Sequence, residues 1–214
     1  MNEDRRVIVN VATGRYLRGQ QRLVQAFPGF KRVWADQLPP GCPPHEQVPY
    51  AFKAFALKQV ASSGHYDLLL WLDASIVPGP ASLDLIWERL EKKGYWISKN
   101  GYRNSEWTAR SALQYLGVTE EENDQIEHVV ATAFGLNLKM EIGRQFLEEY
   151  YRLANTEAFC GPWRGGIGVQ HRHDQTAASV IAHKLGMELT NPPEWFAYKG
   201  GEMEKTVLVA AGAY

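Results

Sequence analysis

The stretch from Asp67 to Ser75 most constrains the fold of this chain. It reads Asp-Leu-Leu-Leu-Trp-Leu-Asp-Ala-Ser, with five apolar residues in an unbroken run. Such a run is typical of a strand buried on both faces, as in the middle of a parallel sheet. A strand of this kind does not keep a carboxylate in its interior, so we expect Asp73 where the strand emerges. Ligands of open α/β sheets bind beside the carboxyl ends of the strands, so Asp73 is a candidate site residue. The alternative is that Asp73 only caps the next turn.

The composition fits a single domain. The net charge of the whole chain gives no argument for nucleic-acid binding. The 214 residues are 45% hydrophobic, which is enough for a sizeable core, and the formal net charge is −1. A local basic patch is still compatible with that balance. The two cysteines, Cys42 and Cys160, have neither the spacing of a metal site nor that of a disulfide framework. With no signal peptide or membrane anchor in the amino-terminal residues, we expect a cytoplasmic protein.

The first third of the chain has a β-α-β pattern that suits a nucleotide. The strand predicted over 7–12 ends at Thr13 and Gly14, and the one over 30–35 is followed by Asp36. This layout is common in nucleotide-binding folds. The GxGxxG fingerprint is missing, so a dinucleotide is not expected, whereas small residues and a hydroxyl still let a nucleotide approach the backbone.

Periodicity predicts the remaining elements. Lys53 falls in the first turn of a helix that starts after Pro49, where a lysine is ordinarily solvated. We expect a second central strand over 128–138, interrupted at Gly135. Apolar spacing predicts helices over 15–27, 50–60, 83–93, 107–116, 141–153 and 176–185, a solvated acidic helix over 120–124 and a short strand over 94–98.

A glycine-rich loop and a polar cluster follow one another late in the chain. The loop over 161–168 has four glycines and carries Trp163 and Arg164, so it is either a lid or acceptor platform or a plain connection. Five polar residues, 171–175, come next at a helix start. Asp174 suits capping there, but a polar cluster of this density also needs partners, which a site supplies. Two histidines two residues apart do not make a zinc site without further ligands.

These pieces together resemble the small nucleotide-sugar glycosyltransferases of the GT-A fold. The motifs that carry the resemblance are Pro49-Tyr-Ala-Phe-Lys53, Leu70-Trp-Leu-Asp-Ala-Ser75 and Arg172-His-Asp-Gln175. The resemblance implies an α/β fold with a Rossmann-type mixed sheet flanked by helices in one domain over 1–214. It also implies a nucleotide-binding half over about 1–98 and an acceptor-side half over about 99–214.

The resemblance further implies a metal-assisted transfer from a nucleotide sugar to an acceptor hydroxyl. Asp73 and Ser75 would stand for the Asp-x-Asp motif that holds magnesium or manganese on the donor diphosphate, with a hydroxyl in place of the second carboxylate. The carboxy-terminal histidine ligand of such enzymes has no counterpart here. Residues near the end of the chain, Tyr198 or Lys199, would meet the diphosphate instead.

Roles for the other candidates follow from the same resemblance. Asp174 is the candidate base or sugar-orienting acid, with His173 second. We expect Thr13, Gly14 and Asp36 to touch the nucleotide, and Lys53 to contact a phosphate or to support Asp73. The acceptor is a glycan or a hydroxylated base in nucleic acid, with exposed aromatic and arginine side chains as the stacking surface. The alternatives are a nucleotidyltransferase and a non-catalytic nucleotide- or sugar-binding module.

Overall fold

A five-stranded mixed sheet forms the centre of the structure, a computed structural model that describes residues 5–212. Its strands are β1 (Arg6–Ala12), β2 (Lys31–Ala35), β3 (Leu68–Leu72), β5 (Tyr95–Arg103) and β6 (Glu127–Asn137). They lie in the order β2-β1-β3-β6-β5, with β1 parallel to β2 and β3 and with β6 antiparallel to β3 and β5. The predicted α/β class with a mixed sheet is confirmed. The strand of the Asp67–Ser75 stretch is central, but it has a parallel neighbour on one side only.

Within residues 5–212, a smaller sheet and seven α-helices surround the central sheet. The smaller sheet has the order β4-β8-β7, and its strands are β4 (Ile76–Pro78), β7 (Phe196–Tyr198) and β8 (Leu208–Ala210). The helices are α1 (Leu17–Ala26), α2 (Ala51–Ser62), α3 (Asp84–Lys93), α4 (Leu113–Leu116), α5 (Glu120–Gln125), α6 (Glu141–Ala154) and α7 (His173–Lys184). No helix within residues 5–212 is long and apolar enough to cross a membrane.

Alternation along β3 divides the core between the two faces of the sheet. Leu69 and Trp71 join the cluster that α2, α6 and α7 cover. Leu68, Leu70 and Leu72 join the cluster that includes residues of α1, α3 and the smaller sheet. Each such side chain contributes about 1.5–3 kcal/mol when it is fully buried, so both layers hold β3 in place. The end of β3 is therefore a fixed point from which Asp73 projects.

Helix α1 packs closely on the segment that follows β3. A Cβ atom at Gly19 would overlap the backbone carbonyl oxygen of Ala74, so only glycine allows this approach. The smaller sheet holds the same segment from the other side, because the backbone N–H of Ala211 donates to the Ser75 carbonyl oxygen at 2.9 Å. These contacts fix the backbone between Asp73 and Ser75.

Three sequence-based expectations are corrected by the structure. Gly135 does not interrupt β6; its missing Cβ makes room for the Leu90 side chain of α3. Strand β5 runs on to Arg103, and Lys99 on it forms an ion pair with Glu127 of β6 at 2.9 Å. The helix expected over 107–116 is replaced by two 3-10 turns (Asn104–Trp107 and Arg110–Ala112) and α4. The Trp107 carbonyl oxygen does not serve a helix of its own, because it accepts hydrogen bonds from the backbone N–H of Arg172 and from the hydroxyl of Thr176 in α7.

The amino-terminal residues bear on one further expectation. Residues 1–4 belong to the segment on which the expectation of a cytoplasmic protein rests, and they lie outside the described residues. Residues 213–214, after β8, lie outside the described part as well.

A buried polar network joins α7 to β6. The His128 Nδ1 atom lies 2.7 Å from Oδ1 of Asn104, and the Ser179 hydroxyl accepts a hydrogen bond from the backbone N–H of Val129 at 2.9 Å. Burial lowers the pKa of His128 to about 3 and that of His171 to about 4, with smaller contributions from nearby positive groups. Both rings are therefore neutral in the folded protein at neutral pH.

We expect the free energy of unfolding to decrease as the pH falls below about 6.5. Between the ordinary histidine pKa of 6.5 and the depressed values near 3 and 4, the unfolded chain binds more protons than the folded one. Each histidine contributes a slope of about 1.4 kcal/mol per pH unit within its window. Urea unfolding at several pH values measures this slope, which His128→Gln reduces. The control His65→Gln, at an exposed position, leaves the slope unchanged. A wild-type slope in His128→Gln would contradict the role assigned to His128.

Candidate active site

A buried lysine joins two aspartates at the carboxyl end of β3. The Lys53 Nζ atom lies 3.1 Å from Oδ1 of Asp73 and 3.0 Å from Oδ2 of Asp174. It also donates a hydrogen bond to the Ala131 carbonyl oxygen of β6 at 2.9 Å. We call Lys53, Asp73 and Asp174 the charged triad. It brings together three residues that the sequence analysis named separately.

Each member of the charged triad comes from a different element. Lys53 lies in the first turn of α2, Asp73 follows β3, and Asp174 lies in the first turn of α7. The side chain of Lys53 is 3% exposed and that of Asp174 is 5% exposed, whereas Asp73 is 27% exposed. Lys53 is therefore not a solvated helix lysine, and Asp73 is the member that faces solvent.

Neighbouring polar groups complete the coordination of the two carboxylates. The indole Nε1 of Trp71 donates to Oδ1 of Asp73 at 2.7 Å, and the phenol of Tyr150 donates to Oδ2 of Asp174 at 3.1 Å. The ring of Tyr50 lies 5.3 Å from the Lys53 ammonium. Charges buried in this way are stable only when they are paired and hydrogen-bonded, and these contacts meet that requirement.

The charged triad shifts the pKa of its members. Burial lowers the pKa of Lys53, but the attraction of Asp174 and Asp73 outweighs it, so the pKa is raised and the ammonium stays charged. Burial raises the pKa of Asp73 and of Asp174, and Lys53 opposes the rise in both. Two carboxylates with one ammonium carry a net charge of −1 when all three are ionised, and mutual repulsion favours protonation of one carboxylate.

A cleft of about 290 Å³ opens beside Asp73. It reaches from the charged triad to the loop after β1. Its lining includes Thr13, Tyr16, Tyr50, Asp73 and Ser75. The position agrees with the rule that ligands bind at the carboxyl ends of the strands of an open α/β sheet.

The nucleotide-side candidates lie at the rim of this cleft. The backbone N–H of Gly14 donates to Oδ1 of Asp36 at 3.1 Å, and the N–H of Asp36 donates to the Ala12 carbonyl oxygen at 2.8 Å. Thr13, Gly14 and Asp36 are all exposed. Thr13 lines the cleft, and the pairing of Asp36 with Gly14 ties the ends of β1 and β2 together. Contact with a nucleotide stays a prediction for all three.

His173 and Lys199 differ in burial. His173 is buried in a left-handed backbone conformation, with φ at 51°, and its Nδ1 lies 2.9 Å from the Phe159 carbonyl oxygen. It therefore donates from Nδ1, which leaves Nε2 as the basic nitrogen of the neutral ring. Lys199 is exposed just after β7, and no contact within residues 5–212 joins its side chain to the charged triad. Its proposed contact with a diphosphate stays a prediction.

Asp73 and Ser75 are the residues that would supply oxygen ligands to a divalent cation. Asp73 Oδ1 receives the shorter bonds from Trp71 and Lys53, while Oδ2 is 3.4 Å from Lys53 and keeps lone pairs free. Within residues 5–212, no three His, Cys, Asp or Glu side chains are grouped so that they could hold a metal. Magnesium is commonly held by one or two carboxylates together with substrate phosphates and water. The residues therefore fit a cation that a bound diphosphate helps to hold.

Several residues of the site were missed in the sequence analysis. Trp71 had a usable signal, because it precedes Asp73 by two residues and alternation places both on one face of the strand. Tyr50 has a φ of 61°, and its backbone N–H donates to His45 Nδ1 at 3.1 Å. Neither Tyr50 nor Tyr150 differs in sequence pattern from an ordinary core tyrosine, so only the fold assigns them to the site.

Among the solved structures that the fold resembles is one that matches it across nearly the whole chain. It is a crystal structure of a glycosyltransferase involved in the glycosylation of the major capsid of PBCV-1. The two chains are 10% identical with a TM-score of 0.57, and the match covers 95% of this chain and 91% of that one. No protein-family model and no curated protein sequence matches the chain. The similarity establishes a glycosyltransferase-like fold. Any reaction that the protein catalyses has to be argued from the residues of the site.

We expect Lys53→Met to lower the free energy of unfolding by about 3–5 kcal/mol at neutral pH, because the buried carboxylate of Asp174 and the partly exposed one of Asp73 lose their cation. Chemical denaturation measures the change. A second substitution, Asp174→Asn, should recover part of the loss in the Lys53→Met background. Lys58→Met, on the same helix but in a partly exposed pair with Glu148, serves as the control and costs at most about 1 kcal/mol. Wild-type stability in Lys53→Met would contradict the role of the charged triad.

Proposed function

We propose that the protein is a glycosyltransferase that moves a sugar from a nucleotide-sugar donor to an acceptor hydroxyl. The observation that carries the proposal is the position of the charged triad. It lies at the carboxyl end of β3, beside a cleft that reaches the loops after β1 and β2, on a fold shared with a glycosyltransferase. That position suits a nucleotide at the strand ends and its sugar next to Asp73 and Asp174.

The donor would lie in the cleft with its nucleoside toward Thr13, Gly14 and Asp36. Asp36 is exposed and available to accept hydrogen bonds from a ribose or base. Asp73 and Ser75 would hold a magnesium or manganese ion against the diphosphate. When bound, such an ion neutralises the charge that develops on the leaving diphosphate. Lys53 keeps Asp73 in place and offsets part of the negative charge of the two carboxylates.

Asp174 suits a sugar-orienting role better than that of a general base. Its Oδ2 already receives hydrogen bonds from Lys53 and Tyr150, and both bonds stabilise its ionised form. A carboxylate held in this way accepts a hydrogen bond from a sugar hydroxyl in a fixed geometry. His173, with Nε2 basic, is the candidate that would take the proton of the acceptor hydroxyl if the reaction inverts the anomeric centre.

We expect Asp73→Asn and Asp174→Asn each to reduce donor turnover by about 100-fold or more, because each removes a fixed charge at the reacting sugar. The assay measures release of nucleoside diphosphate from a panel of nucleotide sugars with Mg²⁺ or Mn²⁺ present. Asp84→Asn, at an exposed position on α3, is the matched control and should keep wild-type turnover. Thermal unfolding measures whether each variant is folded.

The same panel separates the proposal from its alternatives. A nucleotidyltransferase would consume nucleoside triphosphates and leave nucleotide sugars intact. A binding module would bind a nucleotide sugar without turnover. Wild-type turnover in both the Asp73 and the Asp174 variants would overturn the assignment of the site.

We expect Mn²⁺ to bind weakly alone and more tightly with a nucleoside diphosphate, because Lys53 already neutralises part of Asp73. Ser75→Asp adds a hard carboxylate ligand and should tighten Mn²⁺ binding by about tenfold. Titrations of Mn²⁺ alone and with UDP, GDP or ADP, followed by electron paramagnetic resonance, measure both effects. Ser82→Asp, outside the cleft lining, is the control. Equal affinity in Ser75→Asp and the wild type would contradict a cation site at these residues.

A further inference from the structure

Arg172 contacts two indole rings next to the charged triad. Its Cζ atom lies 4.2 Å from the centre of the Trp107 ring and 4.0 Å from that of Trp163. The Trp163 ring also stacks on the imidazole of His173 at 5.6 Å with an angle of 13° between the planes. Indoles at these distances cover the faces of a guanidinium and leave its N–H groups directed outward at the edge.

The guanidinium of Arg172 has no acceptor in the part of the chain that the structure describes. Among residues 5–212, no carboxylate forms an ion pair with it, and its side chain donates no hydrogen bond to any group of the same range. None of its nitrogens is a fully buried, unpaired atom, so the edge is open to solvent. A guanidinium that is stacked, fixed and unpaired presents a planar set of donors, and such donors bind a carboxylate or a phosphate in bidentate geometry.

Two exposed tyrosine rings lie near the guanidinium of Arg172. Tyr102 is 50% exposed and Tyr198 is 60% exposed, and both hydroxyls lie close enough to act electrostatically on Arg172. The Tyr102 ring meets that of Trp107 edge-on at 5.4 Å. Aromatic faces of this kind pack against the apolar face of a sugar ring. The surface formed by Tyr102, Arg172 and Tyr198 is called the arginine platform below.

The arginine platform lies outside the lining of the nucleotide cleft. Arg172 is bound to the segment after β5, since its backbone N–H donates to the Trp107 carbonyl oxygen at 3.0 Å. The cleft, in contrast, is lined by residues that include those following β1 and β3. Tyr50 belongs to the cleft lining and links the two regions, because its ring lies 5.3 Å from the Lys53 ammonium and 6.4 Å from the Trp163 ring. A molecule on the platform would therefore lie beside the donor cleft and not in it, as an acceptor must.

A single anionic sugar fits this surface better than a nucleic acid does. Nucleic-acid binding depends on many contacts between basic residues and phosphates. Here one stacked guanidinium lies near a segment with charges of both signs: Arg103 follows Tyr102, while Glu106 accepts from the Arg103 backbone N–H and Asp124 accepts from the Ser105 hydroxyl. One planar cation between two ring faces matches one carboxylate or phosphate on one sugar.

We propose that Arg172, with Tyr102 and Tyr198, binds an acceptor sugar that carries an acidic group, either a carboxylate or a phosphate. The guanidinium holds the acidic group, and the tyrosine rings hold the apolar face of the sugar. The inference rests on the proposed glycosyltransferase function for its placement of the acceptor. The chemistry of the arginine platform itself depends only on the geometry of Arg172 and its neighbours.

Ligand-observed NMR titrations of the whole chain test the proposal with simple probes. The probes are glucuronate, galacturonate and glucose 6-phosphate, with glucose and galactose as neutral partners. We expect at least one acidic probe to bind about tenfold more tightly than its neutral partner, as a charge-assisted bidentate pair implies. Comparison of the uronates with the sugar phosphate identifies which acidic group is preferred.

Two variants and a matched control assign the preference to Arg172. Arg172→Gln should abolish the preference for the acidic probe, and Arg172→Lys should weaken it because the planar fork is lost. The conservative variant keeps the test decisive if the glutamine variant does not fold. Arg152→Lys, on α6 and paired with Glu149, makes the same change elsewhere and should keep the preference.

The outcomes are distinct from those that test the glycosyltransferase proposal. Hydrolysis of the nucleotide sugar by water needs no acceptor, so measured on the wild-type protein it tests the proposed function independently of the arginine platform. Equal binding of acidic and neutral sugars, or a preference that survives Arg172→Gln, would overturn the inference even if donor hydrolysis is present. Binding of a short oligonucleotide in place of the acidic sugars would overturn it as well. An Arg172-dependent preference without any donor hydrolysis would support the arginine platform while the proposed function fails.

Discussion

The burial of the Lys53 ammonium between Asp73 and Asp174 is the interaction on which the site depends. It joins α2, the end of β3 and α7 through one cation, and β6 contributes a carbonyl oxygen to the same group. A buried ion pair is weak evidence for stability, because desolvation offsets much of the attraction between the charges. Its value here is positional: the side chains of Asp73 and Asp174 cannot move apart without exposing Lys53 or leaving it unpaired.

The direction of β6 explains how the mixed sheet serves this arrangement. Because β6 runs antiparallel to β3, the middle of β6 passes beside the carboxyl end of β3. There the Thr132 carbonyl accepts from the backbone N–H of Asp73 at 2.8 Å, and the Ala131 carbonyl accepts from Lys53. The middle of α7 is then held against β6 through Ser179 and His128. The acid sensitivity expected from His128 therefore acts on the same support that places Asp174.

The sequence predicts the separate parts of the site better than their association. The apolar run before Asp73 predicts a buried strand with a carboxylate at its end, and the structure agrees. The pairing of Lys53 with Asp174 has no sequence signal, since the two residues are far apart in the chain and each has an ordinary helical explanation. The sequence assigns Arg172 to a polar cluster and to one motif of the resemblance, but it does not predict the stacking, because the indoles that cover Arg172 come from two distant segments. Local patterns determine elements, whereas contacts between distant elements depend on how the sheet is ordered.

Charge balance connects the charged triad with the chemistry proposed for it. With all groups ionised, Lys53 leaves one negative charge uncompensated between Asp73 and Asp174, and Asp73 is the member that faces the cleft. A diphosphate beside it would be repelled unless a further positive charge entered with it or one carboxylate took up a proton. The raised pKa of both aspartates favours protonation, and the free lone pairs of Asp73 favour a cation. Either route makes donor binding depend on neutralising Asp73, and this explains why one partly exposed carboxylate beside one buried lysine suits a site for an anionic donor.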